Sequence, residues 1–260
     1  MREEQRRYGY WDNVSEDADM LYGHYGRSYA GYGLGIIALE VDYPLVPGNV
    51  VNATTYDFPV RIKVVKGTTT ERIFRNDRSL LDDFIKAAKE LEEEGCRAIG
   101  GACGYFANFQ KELSESVDIP VFSSALLQAP WIKMGLKKDQ KIGVICAKGD
   151  SVTPEMLKSV GIEDASYLVF GGLEDTEQFG TAVHKKSIDW INSIVREEVV
   201  GVAQKLAAEN NLGAILLECS DLPPYAADIQ RAVKLPVFDY ISMYKWVQHA
   251  IMQKPYNGFI

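Results

Sequence analysis

The chain has 260 residues, 47% of them hydrophobic and 25% charged, and carries a formal net charge of −8. That apolar content can bury a core in one large domain or two lobes, which excludes a disordered chain, and the acidic balance excludes a general binder of nucleic-acid phosphates. No apolar run reaches the roughly 18 to 20 residues of a bilayer span, and the opening Met1-Arg-Glu-Glu-Gln-Arg-Arg lacks the apolar stretch of a signal peptide, so a cytoplasmic protein with neither membrane nor nucleic-acid partner is expected.

Residues 1–32 are polar and rich in Gly and Tyr without a sustained period, and they are expected to form an extension ahead of the domain. Short apolar runs then alternate with amphipathic stretches, the pattern of strands joined by helices. Strands are expected at 35–40, 60–66, 98–102, 120–123, 141–147, 166–170, 214–218 and 236–240. Between the second and third, Leu80, Leu81, Phe84, Ile85, Ala88 and Leu91 recur at spacings of three and four, so a helix with one apolar face is expected, with Ser79 as N-cap and Gly95 as its stop. A longer helix is expected to bury Ile188, Ile191, Ile194, Val195, Val199, Val202 and Leu206, with Ser187 as cap and Asn210-Asn211 at its end. Near-continuous apolar strands covered by helices imply a mostly parallel sheet buried on both faces.

An internal repeat organises the chain. Residues 97–127 and 213–243 align at an offset of 116, which takes Ala98-Ile99 onto Ala214-Ile215, Cys103 onto Cys219, and Pro120-Val121-Phe122 onto Pro236-Val237-Phe238. Gly35-Ile36-Ile37 and Gly143-Val144-Ile145 give a weaker echo. The expected fold is therefore α/β, with two pseudo-symmetric lobes, each a mostly parallel sheet flanked by helices. The expected lobes are 33–133, joined by the C-terminal helix 241–260, and 134–240, with the active site in the cleft between them.

Four cysteines in a chain of this length do not make a disulfide scaffold, and neither they nor His24, His184 and His249 fall in a metal or triad motif. Cys103 and Cys219 each lie just past an apolar strand, where ligands bind in parallel α/β sheets. Ser220-Asp221-Leu222-Pro223-Pro224 reads as a helix start, so Cys219 is expected to gain thiolate character from a helix N-terminus. Gly104 allows a tight turn and lets a ligand approach the backbone. A thiolate and a thiol across a cleft can remove a proton from one face of a carbon and return one to the other. Cys96 and Cys146 have no such matched partner and are assigned to the core.

At Gly-Gly-Ala-Cys103-Gly-Tyr-Phe and Leu-Leu-Glu-Cys219-Ser-Asp-Leu-Pro-Pro the chain resembles the aspartate/glutamate/hydantoin racemase superfamily, over residues 33–246. The stretches 119–130 and 143–154 resemble its hydantoin-racemase-like branch. The resemblance implies a cofactor-independent racemase or epimerase of an amino acid or a hydantoin, using Cys103 and Cys219 as bases. It implies no metal, pyridoxal phosphate or nicotinamide, and a homo-oligomer is expected. The sequence has no Walker loop, and its Gly31-Tyr-Gly33-Leu-Gly35 run precedes a strand instead of following one. The first cysteine of amino-acid racemases is commonly followed by Asn-Thr and the second by Thr; here Gly104-Tyr105 and Ser220 stand in those places.

Proton removal beside a carboxylate builds charge on its oxygens, so hydroxyls and N–H groups at strand ends are the expected binders. Ser123, Ser124, Ser151, Thr153, Ser220 and the Gly104 turn meet that description. Asp42, Tyr43 and Asn49 are expected to frame an ammonium or ureido group, and Lys148 to neutralise an acidic side chain. The same scaffold also resembles arylmalonate decarboxylases, which need one cysteine, and maleate isomerases, which use a cysteine as nucleophile, and a non-catalytic small-molecule binding protein is the alternative outside the enzymes.

Overall fold

A computed structural model describes residues 30–184 and 188–260. Most of the N-terminal extension, with His24, and Ser187 lie outside the described residues. Eight parallel strands form two sheets: β1 (Leu34–Leu39), β2 (Val60–Val65), β3 (Ala98–Gly101) and β4 (Val121–Phe122), then β5 (Lys141–Cys146), β6 (Leu168–Gly172), β7 (Leu212–Leu217) and β8 (Val237–Phe238). The strand orders are β2-β1-β3-β4 and β6-β5-β7-β8, one topology used twice. The registers repeat too, because Gly35 pairs with Ile99 and Ile99 with Val121, as Gly143 pairs with Ile215 and Ile215 with Val237. Every residue of β1, β3 and β7 is buried, which is why these strands read as unbroken apolar runs instead of alternating ones.

The helices are α1 (Thr70–Phe74), α2 (Leu81–Glu93), α3 (Gln110–Ser116), α4 (Ala129–Met134), α5 (Pro154–Ser159), α6 (Phe179–Val183), α7 (Asn192–Glu209), α8 (Ala226–Val233) and α9 (Tyr240–Ile251). Helix α2 buries Phe84, Ala87, Ala88 and Leu91, and Phe84 meets the rings of Phe106 and Phe109 edge-on at 4.6 and 5.2 Å. Gly95, at φ 96, stops it in the left-handed region that glycine reaches without strain. Helix α9 returns to the first sheet, where Tyr244 Oη donates to Gly101 O at 2.6 Å and Tyr240 Oη to Ser123 O at 3.2 Å. Among the described residues no helix is long and apolar enough to cross a membrane.

Several expected details differ. Ser79 does not cap α2: its N–H donates to Asp77, which caps a 3-10 turn, Arg78–Leu80, ahead of the helix, because the longer carboxylate reaches the free N–H first. Helix α7 begins at Asn192 and buries Val195, Val199, Ala203 and Leu206, whereas Ile188 and Ile191 precede it and are exposed. Strand β6 starts two residues late because the Ser166 N–H is held by Asp164 in a turn.

Candidate active site

The two cysteine turns are built alike. Cys103 sits between β3 and a 3-10 helix, Gly104–Phe109, and Cys219 follows β7 ahead of a 3-10 turn, Pro223–Tyr225. Each sulfur accepts the backbone N–H two residues on, from Tyr105 and from Asp221 respectively. Short 3-10 turns suit this task because their first N–H groups have no partner within the turn.

Both thiols line one pocket at the carboxyl ends of the central strands of the two sheets. Leu39, Val51, Phe74 and Val183 supply much of its apolar wall; Tyr43, Thr70, Tyr105, Ser220 and Asp221 supply its polar atoms. Among the described residues no Lys, Arg or His belongs to the lining. Thr70 Oγ1 donates to Val183 O at 2.7 Å, which ties α1 of the first lobe to α6 of the second beside the pocket. Among the described residues, no three His, Cys, Asp or Glu side chains are grouped as metal ligands would be.

Asp221 organises the second cysteine. Its carboxylate accepts from Tyr43 Oη at 2.8 Å and from Asn49 Nδ2 at 2.6 Å, both in the first lobe, and from the Cys219 thiol at 3.6 Å. Burial raises the Asp221 pKa, and these donors oppose the shift. Contrary to the expectation of a helix-lowered thiol, burial pushes both Cys103 and Cys219 well above the ordinary cysteine value. Glu218 and Asp221 add to that push, while the N–H donors act against it. Desolvation within the core outweighs a short 3-10 turn.

The expected binding residues separate into three groups. Ser220 lines the pocket and donates through Oγ to Ala102 O at 3.0 Å; Gly104 is buried next to Cys103. Asn49 is buried and acts through Asp221. The remainder do not line the pocket. Ser124 caps the 3-10 turn Ala125–Gln128 and Thr153 caps α5, since a hydroxyl ahead of a helix finds a free N–H close by. Ser123 Oγ donates to Gln110 Oε1 at 2.7 Å. Ser151 lies in the 3-10 turn Gly149–Ser151, and Asp42 is exposed although Val41 and Tyr43 beside it face the pocket. Lys148 contributes its backbone, with N–H and C=O bonded to Tyr105 Oη at 2.9 and 2.6 Å. Cys96 and Cys146 are buried outside the lining.

Sequence reasoning missed the roles of Asp221 and Glu218. Both left a trace, as carboxylates flanking a cysteine at the end of an apolar run. The Tyr105 bond across the lobes left none.

A family model described as Asp/Glu/Hydantoin racemase matches residues 68–244. The chain is 33% identical over 236 residues to dimethylsulfoniopropionate lyase 3 of Emiliania huxleyi, covering 86% of this chain and 61% of that protein. It therefore spans about three fifths of that relative's length. It is 30% identical over 232 residues to a dimethylsulfoniopropionate lyase of Durusdinium sp. clade D, covering 86% of this chain and 77% of that one. Among solved structures, the aspartate racemase of Picrophilus torridus superposes with a TM-score of 0.57 at 16% identity, over 87% of this chain and 96% of that one.

Proposed function

The chain belongs to the Asp/Glu/hydantoin racemase family, and from that premise we propose that it removes the α-proton of a small carboxylate with a cysteine base and completes the reaction as a β-elimination on a dimethylsulfoniopropionate-like substrate. One observation carries this reading: two thiols share a pocket whose lining, among the described residues, is apolar and aromatic, with one carboxylate and no cationic side chain. Such a lining suits a zwitterion whose cation is a methylated sulfonium. The methyl groups fit apolar walls, the positive charge fits Asp221 and the faces of Tyr43, Phe74 and Tyr105, and each aromatic contact contributes about 0.5 to 2 kcal/mol. The substrate's carboxylate is assigned to the N–H groups at the Cys103 and Cys219 turns.

The steps follow. A cysteine thiolate takes the α-proton, the C–H electron pair becomes the Cα–Cβ double bond, and the β-carbon–sulfur bond breaks. Dimethyl sulfide leaves and acrylate remains. The relatives named dimethylsulfoniopropionate lyases support this substrate.

A second reading, racemisation or epimerisation of an amino acid or hydantoin, is favoured by the matched geometry of the two thiols, since elimination needs one base and 1,1-proton transfer needs two. One experiment separates them. The full chain is incubated with dimethylsulfoniopropionate while headspace dimethyl sulfide is measured, and in parallel with single enantiomers of aspartate, glutamate and a hydantoin in deuterated water. Dimethyl sulfide release that falls roughly 10²- to 10⁴-fold when the base is changed to Ala supports elimination. No release, with Cα deuterium uptake that depends on both Cys103 and Cys219, supports the second reading.

A further inference from the structure

Glu218 follows the last residue of β7, is fully buried, and neither of its carboxyl oxygens has a hydrogen-bond partner among the described residues. It does not line the pocket, and its carboxyl group packs against Gly104. The chain makes room for it at Gly104, the residue after Cys103: a β-carbon there would collide with Oε1 and the carboxyl carbon of Glu218. A side chain at position 104, such as the asparagine common in amino-acid racemases, is incompatible with this placement. The second lobe thus delivers a carboxyl group to the first lobe's cysteine.

The electrostatics divide the two acids between the two thiols. Of the charged groups acting on Cys103, Glu218 has the largest effect, and of those acting on Cys219, Asp221 has the largest. Cys219 donates to its acid, which is also bonded to Tyr43 and Asn49. The other acid has no partner, and a carboxyl group buried in that state is costly unless it keeps its proton. The titratable groups that feel Glu218 are Cys103 and Tyr105 after β3, Cys146 at the end of β5, Cys219 after β7 and Tyr240 on α9, with Asp221 and Glu174 acting on the same cysteines. Among the described residues no cation is one of them.

We propose that Glu218 and Cys103 titrate as a coupled pair. Glu218, packed against the Cys103 turn at Gly104, stands as a neutral acid when the sulfur is a thiolate, so the pair carries a single negative charge until higher pH. The role in turnover rests on the reading of Cys103 as a base, in which Glu218 is a positioning residue acting through it. Burial pushes the Glu218 pKa up to about 8, so the neutral acid is present at neutral pH, and its charge appears at higher pH, where it opposes the thiolate.

The test measures alkylation of Cys103 by iodoacetamide in the full chain without substrate, resolved by peptide mass spectrometry from weakly acidic to alkaline pH. The wild type is expected to give a two-step profile, rising, flattening as Glu218 ionises, and rising again. E218Q is expected to give one step and to react about tenfold or more faster than wild type above pH 8, since each pKa unit of lost repulsion is a factor of ten. E218D, which keeps an acid, restores two steps. A single step in the wild type, superimposable on E218Q, overturns the proposal; if E218Q fails to fold, a single-step wild-type curve still does so. The assay contains no substrate, so a chain that releases no dimethyl sulfide still tests the pairing. A single-step curve in a chain that does turn substrate over removes this proposal alone.

Discussion

Asp221 and Glu218 are both buried acids beside a cysteine, yet their neighbours give them different consequences. Asn49 supplies one of the two first-lobe donors to Asp221, at 2.6 Å. Asn49→Ala therefore strands part of a buried carboxylate, and a loss of about 1.5 to 3 kcal/mol in urea denaturation is expected. For Glu218 the effect is one of linkage. Its folded pKa is raised from 4.5 to about 8, so the folded chain keeps a proton that the unfolded chain releases. The associated stability is fully present below pH 4.5 and is lost as pH rises through about 8. Between those limits a slope of at most about 1.4 kcal/mol per pH unit is expected. E218Q should flatten it, as read from denaturation midpoints across that window. Asp221 is shifted in the same direction, so its linkage has the same sign.

At the scale of elements, helix ends carry the local strain and the local rescue. Helix α8 closes on Lys234 in the left-handed region at φ 56, where a side chain is strained and glycine is not. Lys234→Gly is expected to stabilise the chain by about 0.5 to 1 kcal/mol, seen as a higher Tm. Helix α9 starts with the opposite arrangement, a reciprocal capping box in which the Asp239 carboxylate accepts from Ser242 N at 2.7 Å and Ser242 Oγ accepts from Asp239 N at 2.9 Å. Asp239→Ala should cost about 1 kcal/mol by the same measurement. Several hydroxyls at strand ends serve such caps, and this competition is why a serine or threonine there is a poor sign of a ligand contact.

For the whole molecule, the pocket exists only where the two lobes meet, and a few bonds hold them in register. Tyr105 Oη donates to Lys148 O and accepts from Lys148 N, so one first-lobe phenol satisfies both backbone groups of a second-lobe residue. Ser220 Oγ donates to Ala102 O, and Val50 N donates to Ser220 O at 3.2 Å. Tyr105→Phe leaves the Lys148 N–H without its phenol partner and its C=O with the Ser151 N–H alone, at 3.2 Å, and a loss of about 1 to 3 kcal/mol is expected. Because Cys146 is buried at the end of β5, two residues before Lys148, its alkylation should also speed up as the lobes loosen. An unchanged alkylation rate would show that the bond is not what seals this region.

What the sequence determined by itself is the architecture and the position of the two thiols. The eight strands were legible because apolar runs of this length have few other uses, and the matched windows around Cys103 and Cys219 predicted one topology used twice. Pairing across the cleft was decided only by the tertiary structure. Asn49 meets Asp221 across 172 positions of chain and Tyr105 meets Lys148 across 43, and no local period encodes such contacts. The protonation of the site belongs to the same class. A helix start beside Cys219 suggested a lowered thiol pKa, but the depth of burial, set by the packing of both lobes, dominates and raises it. Glu218 combines the two: its place beside Cys219 is written in the chain, while its service to Cys103 depends on the volume that Gly104, in the other lobe, leaves open.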